Sequence, residues 1–469
     1  MMNIALVNTN QMQPPIAPIG LDYVAEALHA AGHSVALLDL CWENNPKSAI
    51  KQFFKNTDYG LVGVTLRNTD DCTFSSRQSF LLGFINMVKA VQENTGAPIV
   101  LGGAGFSVMP EFILDLANAD FGIWGDGEFV LPEFASRLEK QQPCQDLPNL
   151  IWRYDGVWRR NPPYWGSLAA LPPMRRTWVD NRHYFRYGGQ TGFETKRGCS
   201  GRCIYCADPV AKGNSVRFRK PTAVADELER LIEQGIDASY ACDAEFNIPE
   251  KHALAVCREI TRRGLGDKTN WDTYCVPAPF SQELAKAMRA AGCVGIIFGA
   301  DNGNDGMLKR LGRDFNSIDI SNAARWTKEE GISVTLDLLL GAPGETMESI
   351  EQTVELVKQV DPDRVGVSLG VRVYPGTGLA AQVDSEEYGC GLVGGKDPFD
   401  PLYFLEPQIV QFVFDWINAL KGNEDNFLFF NPSRPMQNYN YSSNQWMIEA
   451  ISQGYQGAFW DILRLYDKN

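Results

Sequence analysis

The run Lys196-Arg-Gly-Cys-Ser-Gly-Arg-Cys-Ile-Tyr-Cys-Ala-Asp208 places Cys199, Cys203 and Cys206 in a C-x3-C-x2-C spacing, with Tyr205 directly before the last thiol. Three thiolates this close can hold three irons of a four-iron cluster. Such clusters normally take four cysteines, so the fourth iron keeps an open site. A structural zinc needs a fourth nearby ligand, and neither His nor Cys follows at finger spacing. A disulfide knot fails on the odd count and on a chain that reads as intracellular. For an arbitrary trio, buried small hydrophobes would be the ordinary reading.

Outward from that loop, 469 residues are too many for one core and imply two or three domains. Hydrophobic content of 44% and charged content of 21% are those of a globular protein. A net charge of −14 repels polyanions, so nucleic acid and anionic membrane surfaces are poor partners. The pairs Arg159-Arg160 and Arg175-Arg176 are too small to reverse that. The start, Met-Met-Asn-Ile-Ala-Leu-Val-Asn, has no basic segment before its short apolar run, and no apolar stretch is long enough to span a bilayer. A soluble, cytoplasmic protein with no membrane and no nucleic-acid partner is expected.

Residues 1–140 alternate short apolar runs with helical patterns. Strands are expected at Asn3–Val7, Ser34–Leu40, Gly60–Leu66, Pro98–Leu101 and Phe121–Trp124, and Val24, Ala27, Leu28 and Ala31 share a helix face. This order argues an α/β, doubly wound, Rossmann-like parallel sheet, whose ligands bind at the carboxyl ends of strands. The loops there are Asn8–Gly20, Thr65-Leu66-Arg67, Gly102-Gly-Ala-Gly105 and Gly125-Asp-Gly-Glu128. No G-x-G-x-x-G follows the first strand, so a dinucleotide is not indicated.

Residues 141–190 form a connector, with a hairpin centred on Asp155-Gly156. Residues 191–377 again alternate strands and helices. Strands are expected at Phe193–Lys196, Ala238–Cys242, Trp271–Val276, Val294–Gly299, Ile332–Leu340 and Val365–Val373, with Ser281 and Thr346 as helix N-caps. Six strands with intervening helices imply a partial (β/α)6 barrel, whose working groups gather at strand C-termini. Residues 378–469 open with the glycine-rich Gly389–Gly395 segment, expected to be mobile. They continue with many aromatics, including Phe399, Tyr403, Phe404, Phe412, Phe414, Trp416, Phe427, Phe429 and Phe430. A helix over Pro407–Leu420 and a polar loop over Asn431–Ser442 bearing Tyr439 and Tyr441 are expected, in a mainly helical capping region able to close the barrel and contact substrate. Ordinary core packing accounts for most of these aromatics.

The Gly-Cys start, the spacing and the Tyr-Cys end together resemble the signature of the radical S-adenosylmethionine enzymes. Pro18-Ile-Gly-Leu-Asp-Tyr-Val-Ala25, Gly32-His-Ser-Val-Ala-Leu-Leu-Asp39, Leu101-Gly-Gly-Ala104 and Gly125-Asp-Gly-Glu128 resemble the cobalamin-binding domain that precedes the barrel in one subfamily. The D-x-H-x-x-G motif of wider cobalamin folds is absent, and none of His29, His33, His183 and His252 lies in the first loop. The resemblance therefore implies a lower cobalt face free of protein imidazole.

It further implies a 4Fe-4S cluster on Cys199, Cys203 and Cys206, and cobalamin contacts from Thr65, Leu66, Gly102, Gly103, Gly127 and Glu128. For S-adenosylmethionine it implies Tyr205 and one of Asp243 and Glu245, in Cys242-Asp-Ala-Glu245 where the family usually has Gly-Gly-Glu. Asp301 and Asn302, in Gly299-Ala-Asp-Asn-Gly-Asn304, stand where the family has Gly-x-Glu-Ser-Gly-Ser. Gly341 opens a Gly-Ala-Pro-Gly-Glu-Thr turn that resembles Gly-Phe-Pro-Gly-Glu-Thr. Arg310 or Arg313 can meet a carboxylate or simply form an exposed basic face. The implied chemistry is one-electron cleavage of the sulfonium to a 5′-deoxyadenosyl radical, which abstracts hydrogen from a small-molecule substrate. The electron comes from a donor such as flavodoxin or ferredoxin. The first expectation is a cobalamin-dependent radical methyltransferase acting on an unactivated carbon, or on phosphorus. The alternatives are a cyclase or rearrangement enzyme without methyl transfer, and a radical enzyme with a vestigial cobalamin domain. An RNA methylthiotransferase is disfavoured by the charge and the lack of a second cysteine cluster, and an iron-sulfur electron carrier by the polar strand ends.

Overall fold

The computed structural model describes residues 1–384, 389–411, 413–422, 426–429 and 442–466. Two seven-stranded sheets dominate it. The first contains β1 (Asn3–Asn8), β2 (Ser34–Asp39), β3 (Leu61–Thr65), β4 (Ile99–Gly102), β5 (Phe121–Ile123), β6 (Leu150–Tyr154) and β7 (Val157–Arg160), in the order 2-1-3-4-5-6-7. Its first five strands are parallel. Side-chain alternation explains why both faces need covering: Ile4 and Leu6 enter one core, while Ala5 and Val7 enter the other.

The hairpin expected in the connector forms, with Asp155 (φ 49°) and Gly156 (φ 76°) both left-handed as a type I′ turn requires. It does not stand apart. β6 pairs antiparallel with β5, so the first sheet runs on to Arg160 rather than stopping near residue 140.

The second sheet is all parallel and open. It contains β8 (Thr191–Phe193), β11 (Ala238–Ala241), β12 (Asn270–Cys275), β13 (Cys293–Asp301), β14 (Ser333–Leu340), β15 (Arg364–Leu369) and β19 (Phe427–Phe429), in chain order across the sheet. Two small sheets accompany it. One joins β9 (Lys196–Arg197) to β10 (Arg217–Phe218); the other joins β16 (Val371–Arg372), β17 (Leu392–Val393) and β18 (Tyr403–Phe404). The expected strand Phe193–Lys196 is therefore split between two sheets. β14 illustrates the barrel logic: Val334, Leu336, Leu338 and Leu340 pack outward under helices, leaving Thr335 and Asp337 on the opposite face. Ser281 and Thr346 cap their helices as expected.

The C-terminal region differs most from expectation. The helix expected over Pro407–Leu420 is Val413–Lys421, a short helix at Gly378–Val383 precedes it, and the glycine-rich segment carries β17. Phe427–Phe429 supplies a seventh strand to the barrel edge. Helix Phe459–Tyr466 places the buried Trp460 against Tyr240 and Tyr274, and Ala458 N–H donates to Asp272 at 3.2 Å, closing the barrel from beneath. Phe412, Phe430 and the loop of residues 431–441 with Tyr439 and Tyr441 lie outside the described residues. Among the described residues no helix is long and apolar enough to cross a membrane.

Among the described residues, the most deeply buried ion pairs between the two halves form three clasps. In the first, Glu227 accepts from Arg176 (2.7 Å), from Arg219 and from the Tyr23 hydroxyl (2.8 Å), while Arg176 also reaches Asp22 (2.8 Å). In the second, Arg197 bridges Asp126 and Glu128 (2.8 Å each), and Arg217 joins it on Asp126. In the third, Asp70 pairs with Arg372 at 2.9 Å. The N-terminal partners follow β1, β3 and β5, so the carboxyl-end loops of the first sheet face the cysteine loop.

Glu227 and Arg176 are 0% and 1% exposed, so loss of one partner strands buried charge. Burial would raise the Glu227 carboxyl, but Arg219 and Arg176 outweigh it and hold the group below its ordinary range. Glu227→Ala should therefore cost about 3–5 kcal/mol in urea unfolding at neutral pH. Tyr23→Phe, which removes a hydroxyl that donates to Glu227 and accepts from Arg219, should cost about 1–3 kcal/mol. The Glu227 contribution should be complete above the ordinary carboxylate range and fade as pH falls through its depressed folded value.

Candidate active site

The cysteine loop is a turn stapled at both ends. Cys199 N–H donates to Gly213 O (3.2 Å) and Ile204 N–H to Leu311 O (3.0 Å). Gly198 must be glycine: at φ +88° its Cβ would stand 2.2 Å from Ser215 O. Gly201 N–H donates to Cys199 Sγ at 3.3 Å, and a Cβ on Gly201 would lie 3.3 Å from that sulfur and 3.7 Å from Cys203 Sγ. The two thiols thus flank one point, with Cys206 one turn further on. Among the described residues no three His, Cys, Asp or Glu side chains converge closely enough to share one metal ion. A trio spread around a loop suits a cluster, where each thiolate takes a different iron. Burial pushes all three thiols above their ordinary range. Coordination reverses this, because a metal-bound thiol loses its proton outright. The donor set fits the cluster.

The open choice between Asp243 and Glu245 divides on burial. Asp243, with its side chain 0% exposed, accepts from Thr195 N (2.8 Å), Lys196 N (3.2 Å) and Lys196 Nζ (3.0 Å). No ligand can reach that carboxylate; it ties the β11 end to the strand that delivers the cysteines. Glu245 is half-buried, and its Oε2 is shut from solvent with no partner among the described residues. Its Oε1 lies 4.0 Å from where a Cβ on Gly299 would stand. Burial raises Glu245 to about 7, against the opposing pull of Arg313. An orphaned carboxylate oxygen at a strand end is the feature that fits the cationic end of S-adenosylmethionine.

Asp301 ends β13 in a left-handed conformation (φ 57°) after an irregularity in the ladder. Its Oδ2 accepts from the Tyr205 hydroxyl (2.6 Å) and lies 2.7 Å from Arg313 Nε, so it anchors Tyr205 of the cysteine loop. Asn302 departs from expectation. It is 0% exposed, its Nδ2 donates to Glu345 Oε2 (3.1 Å) and its Oδ1 accepts from Thr353 (2.9 Å), so it braces the strand end from behind. Gly341 is buried with φ +90°, and its Cβ would stand 2.4 Å from Leu405. Its glycine is demanded by packing, and only the turn backbone beyond it is left to meet a ligand.

At the first sheet, Leu66 N–H donates to Gly102 O (2.8 Å) and Gly105 N–H to Arg67 O (2.9 Å), zipping the loops after β3 and β4 together. Gly103, at φ +103°, would put a Cβ 2.4 Å from Leu66 O. Thr65, Gly102, Gly103 and Gly127 stay half-buried along this edge and Ala104 is exposed. That strip of bare backbone fits a broad ligand such as cobalamin. Two expected contacts do not reach it. Leu66 is 3% exposed within the core, and Glu128 is 6% exposed and spent on Arg197. Arg197, Arg217 and Glu406, which accepts from Gly344 N–H at 2.8 Å, are not marked in the sequence, since contacts with partners 62 to 91 residues away leave no periodic signal.

This site and fold match two known domains in sequence order: B12 binding domain over residues 6–135 and Radical SAM superfamily over residues 193–357. The chain belongs to the radical S-adenosylmethionine enzymes with an N-terminal B12-binding domain, and it is a cobalamin-dependent methyltransferase of that group acting on an unactivated carbon. Its cofactors are a 4Fe-4S cluster, S-adenosylmethionine and cobalamin. It is 31% identical to tryptophan 2-C-methyltransferase of Streptomyces laurentii, with 84% of this chain and 76% of that one covered. It is also similar to the methyltransferase TsrM of Kitasatospora setae solved with tryptophan and a S-adenosylmethionine analogue (28% identity, TM-score 0.93, covering 100% and 98% of the two chains). The same enzyme with cobalamin and a 4Fe-4S cluster matches at TM-score 0.90 and 27% identity, over 100% and 98%.

The Glu245 environment fixes a pH dependence. S-adenosylmethionine should bind the wild type more tightly as pH rises from 6 to 8 and the carboxyl ionises. Glu245→Gln should bind weakly with no such slope, measured by equilibrium dialysis. Asp243→Asn should instead lower thermal stability.

Proposed function

We propose that the chain methylates a carbon of tryptophan or a closely related indole-bearing metabolite. The observation that carries this reading is the full-length likeness to the tryptophan-bound enzyme. The barrel interior agrees with it: half-buried Tyr240 and Tyr274 stand 6.4 Å apart with their ring planes nearly perpendicular, both against the edge of Trp460, and the Tyr240 hydroxyl has no partner among the described residues. Flat aromatic walls with one polar atom suit a flat aromatic substrate that carries its own polar edge.

In this reading Cys199, Cys203 and Cys206 hold the cluster, and Glu245, Asp301 through Tyr205, and the turn opened by Gly341 hold S-adenosylmethionine. The edge of Thr65, Gly102, Gly103 and Gly127 receives cobalamin. When bound, the cluster, S-adenosylmethionine and cobalamin supply electron transfer and a methyl carrier. The chain's own task is placement. Glu245 offers a carboxylate to a cationic group, Asp301 fixes the Tyr205 ring beside the cysteine loop, and the clasps keep both cofactor edges in register. Trp460 and helix Phe459–Tyr466 keep water out from below. The functional division is then residues 1–140 for cobalamin, 141–190 as a connector whose hairpin extends the first sheet, 191–377 for the radical chemistry and 378–469 as the cap. A flavodoxin or ferredoxin supplies the electron in the cytoplasm, and no nucleic acid or membrane takes part.

The test is product analysis with the anaerobically reconstituted full-length enzyme, S-adenosylmethionine, cobalamin, a reductant and tryptophan. A methylated indole product accompanied by S-adenosylhomocysteine is expected. Replacing the three cysteines with Ala should abolish iron binding and product together. Deoxyadenosine formed without any methylated product from tryptophan or its analogues would favour rearrangement instead.

A further inference from the structure

Arg313 follows a tight return after helix Asp305–Arg310. Gly312, at φ +79°, would carry a Cβ only 2.3 Å from Arg202 O, so the chain doubles back against the cysteine loop itself. The Arg313 side chain is 8% exposed, and its three nitrogens go three ways. Nη2 donates to Gly299 O at 2.6 Å, Nε lies 2.7 Å from Asp301 Oδ2, and Nη1 donates to Cys203 Sγ at 3.0 Å. Gly299 leaves room for this crossing, since a Cβ there would stand 2.8 Å from Nη2. A side chain held at three points in a buried position is aimed, not swept in by chance.

The thiols are thereby made unequal. Cys199 accepts a neutral backbone N–H at 3.3 Å, whereas Cys203 accepts from a guanidinium that stays charged at every working pH. Charge-assisted hydrogen bonds are about twice as strong as neutral ones. The reduced form of an iron-sulfur cluster carries one more negative charge than the oxidised form. Hydrogen bonds and positive charge at the sulfurs favour it and raise the reduction potential.

We propose that Arg313 is a positioning residue that raises the reduction potential of the cluster through its charged hydrogen bond to Cys203 Sγ, with Asp301 as the counter-charge that limits the effect. This rests on the assignment of the cluster to Cys199, Cys203 and Cys206. Electron balance is simple: one electron enters from a low-potential donor, no bond forms or breaks, and Arg313 keeps its proton.

The experiment is an anaerobic potentiometric titration of the reconstituted full-length protein without S-adenosylmethionine, followed by low-temperature paramagnetic resonance, with iron content measured on each sample. Arg313→Met keeps the apolar stem but removes the charge and the bond. It should lower the reduced-to-oxidised ratio at fixed potential about tenfold, which is about 59 mV for a one-electron couple. Asp301→Asn removes the counter-charge and should shift the potential the opposite way, while Arg313→Lys should fall between Met and wild type. A residue that only props up the loop would not produce shifts of opposite sign. Unchanged potentials at full iron content, or both variants shifting the same way, overturn the proposal. So does weakened S-adenosylmethionine binding with no change in potential. If Arg313→Met loses its iron, Arg313→Lys and Asp301→Asn decide the matter: the absence of an upward shift in Asp301→Asn overturns it. A cluster retained when Cys199, Cys203 and Cys206 are replaced would instead sink the underlying cysteine assignment.

Discussion

The architecture depends on one constraint: two sheets must present their carboxyl-end loops to each other across a gap that side-chain charges span. Glu227 meets it most fully. A carboxylate with no exposure, held by Arg176, Arg219 and the Tyr23 hydroxyl, cannot be satisfied by either half alone. Buried ion pairs add little net stability over an apolar contact, but they are intolerant of misplacement, because a displaced partner leaves charge in a low-dielectric interior. The first helix, the connector and the barrel are therefore held to one relative placement. The clasp of Arg197 on Asp126 and Glu128 repeats the device within two residues of Cys199.

Burial separates residues of similar chemistry at the strand ends. Asp243 and Glu245 are two residues apart at the end of one strand. One is consumed by Thr195 and Lys196; the other keeps an oxygen with nothing to bind. Asp301 and Asn302 divide in the same way, the acid toward Tyr205 and Arg313 and the amide toward Glu345 and Thr353. In each pair the inward member supports the position of the outward one, so the motif encodes both a contact and its brace.

Much of this was legible in the sequence, and what was legible shares a cause. Most strands of both sheets, the Asp155-Gly156 turn and the caps at Ser281 and Thr346 rest on local periodicity or on one residue's backbone preference. The cysteine trio rests on spacing within a single loop. What escaped was relational. That β6 would extend the first sheet, that Phe427–Phe429 would add a strand to the second, and that Glu128 would be spent on Arg197 all depend on partners distant in sequence. The choice between Asp243 and Glu245 was invisible for the same reason, since exposure is a property of the packed whole. Glycines carry two demands at once: Gly103 and Gly341 read as room for ligand, yet the lack of a Cβ at both is also required by neighbouring protein atoms.

The Arg197 clasp has a consequence for modularity. The two halves look like separable cassettes, each with its own cores and its own cofactor edge. Yet the strand that delivers the cysteines carries Arg197, two of whose three counter-ions, Asp126 and Glu128, belong to the preceding cassette, and β10 contributes Arg217 to Asp126. A barrel excised near residue 191, or grafted behind a different cobalamin domain, would leave Arg217 unmatched and Arg197 with Glu194 alone at the mouth of its own cysteine loop. A working exchange of either half would therefore have to carry the acidic loop after β5 together with the basic ribbon it meets. The part that must move as one is the seam rather than either domain.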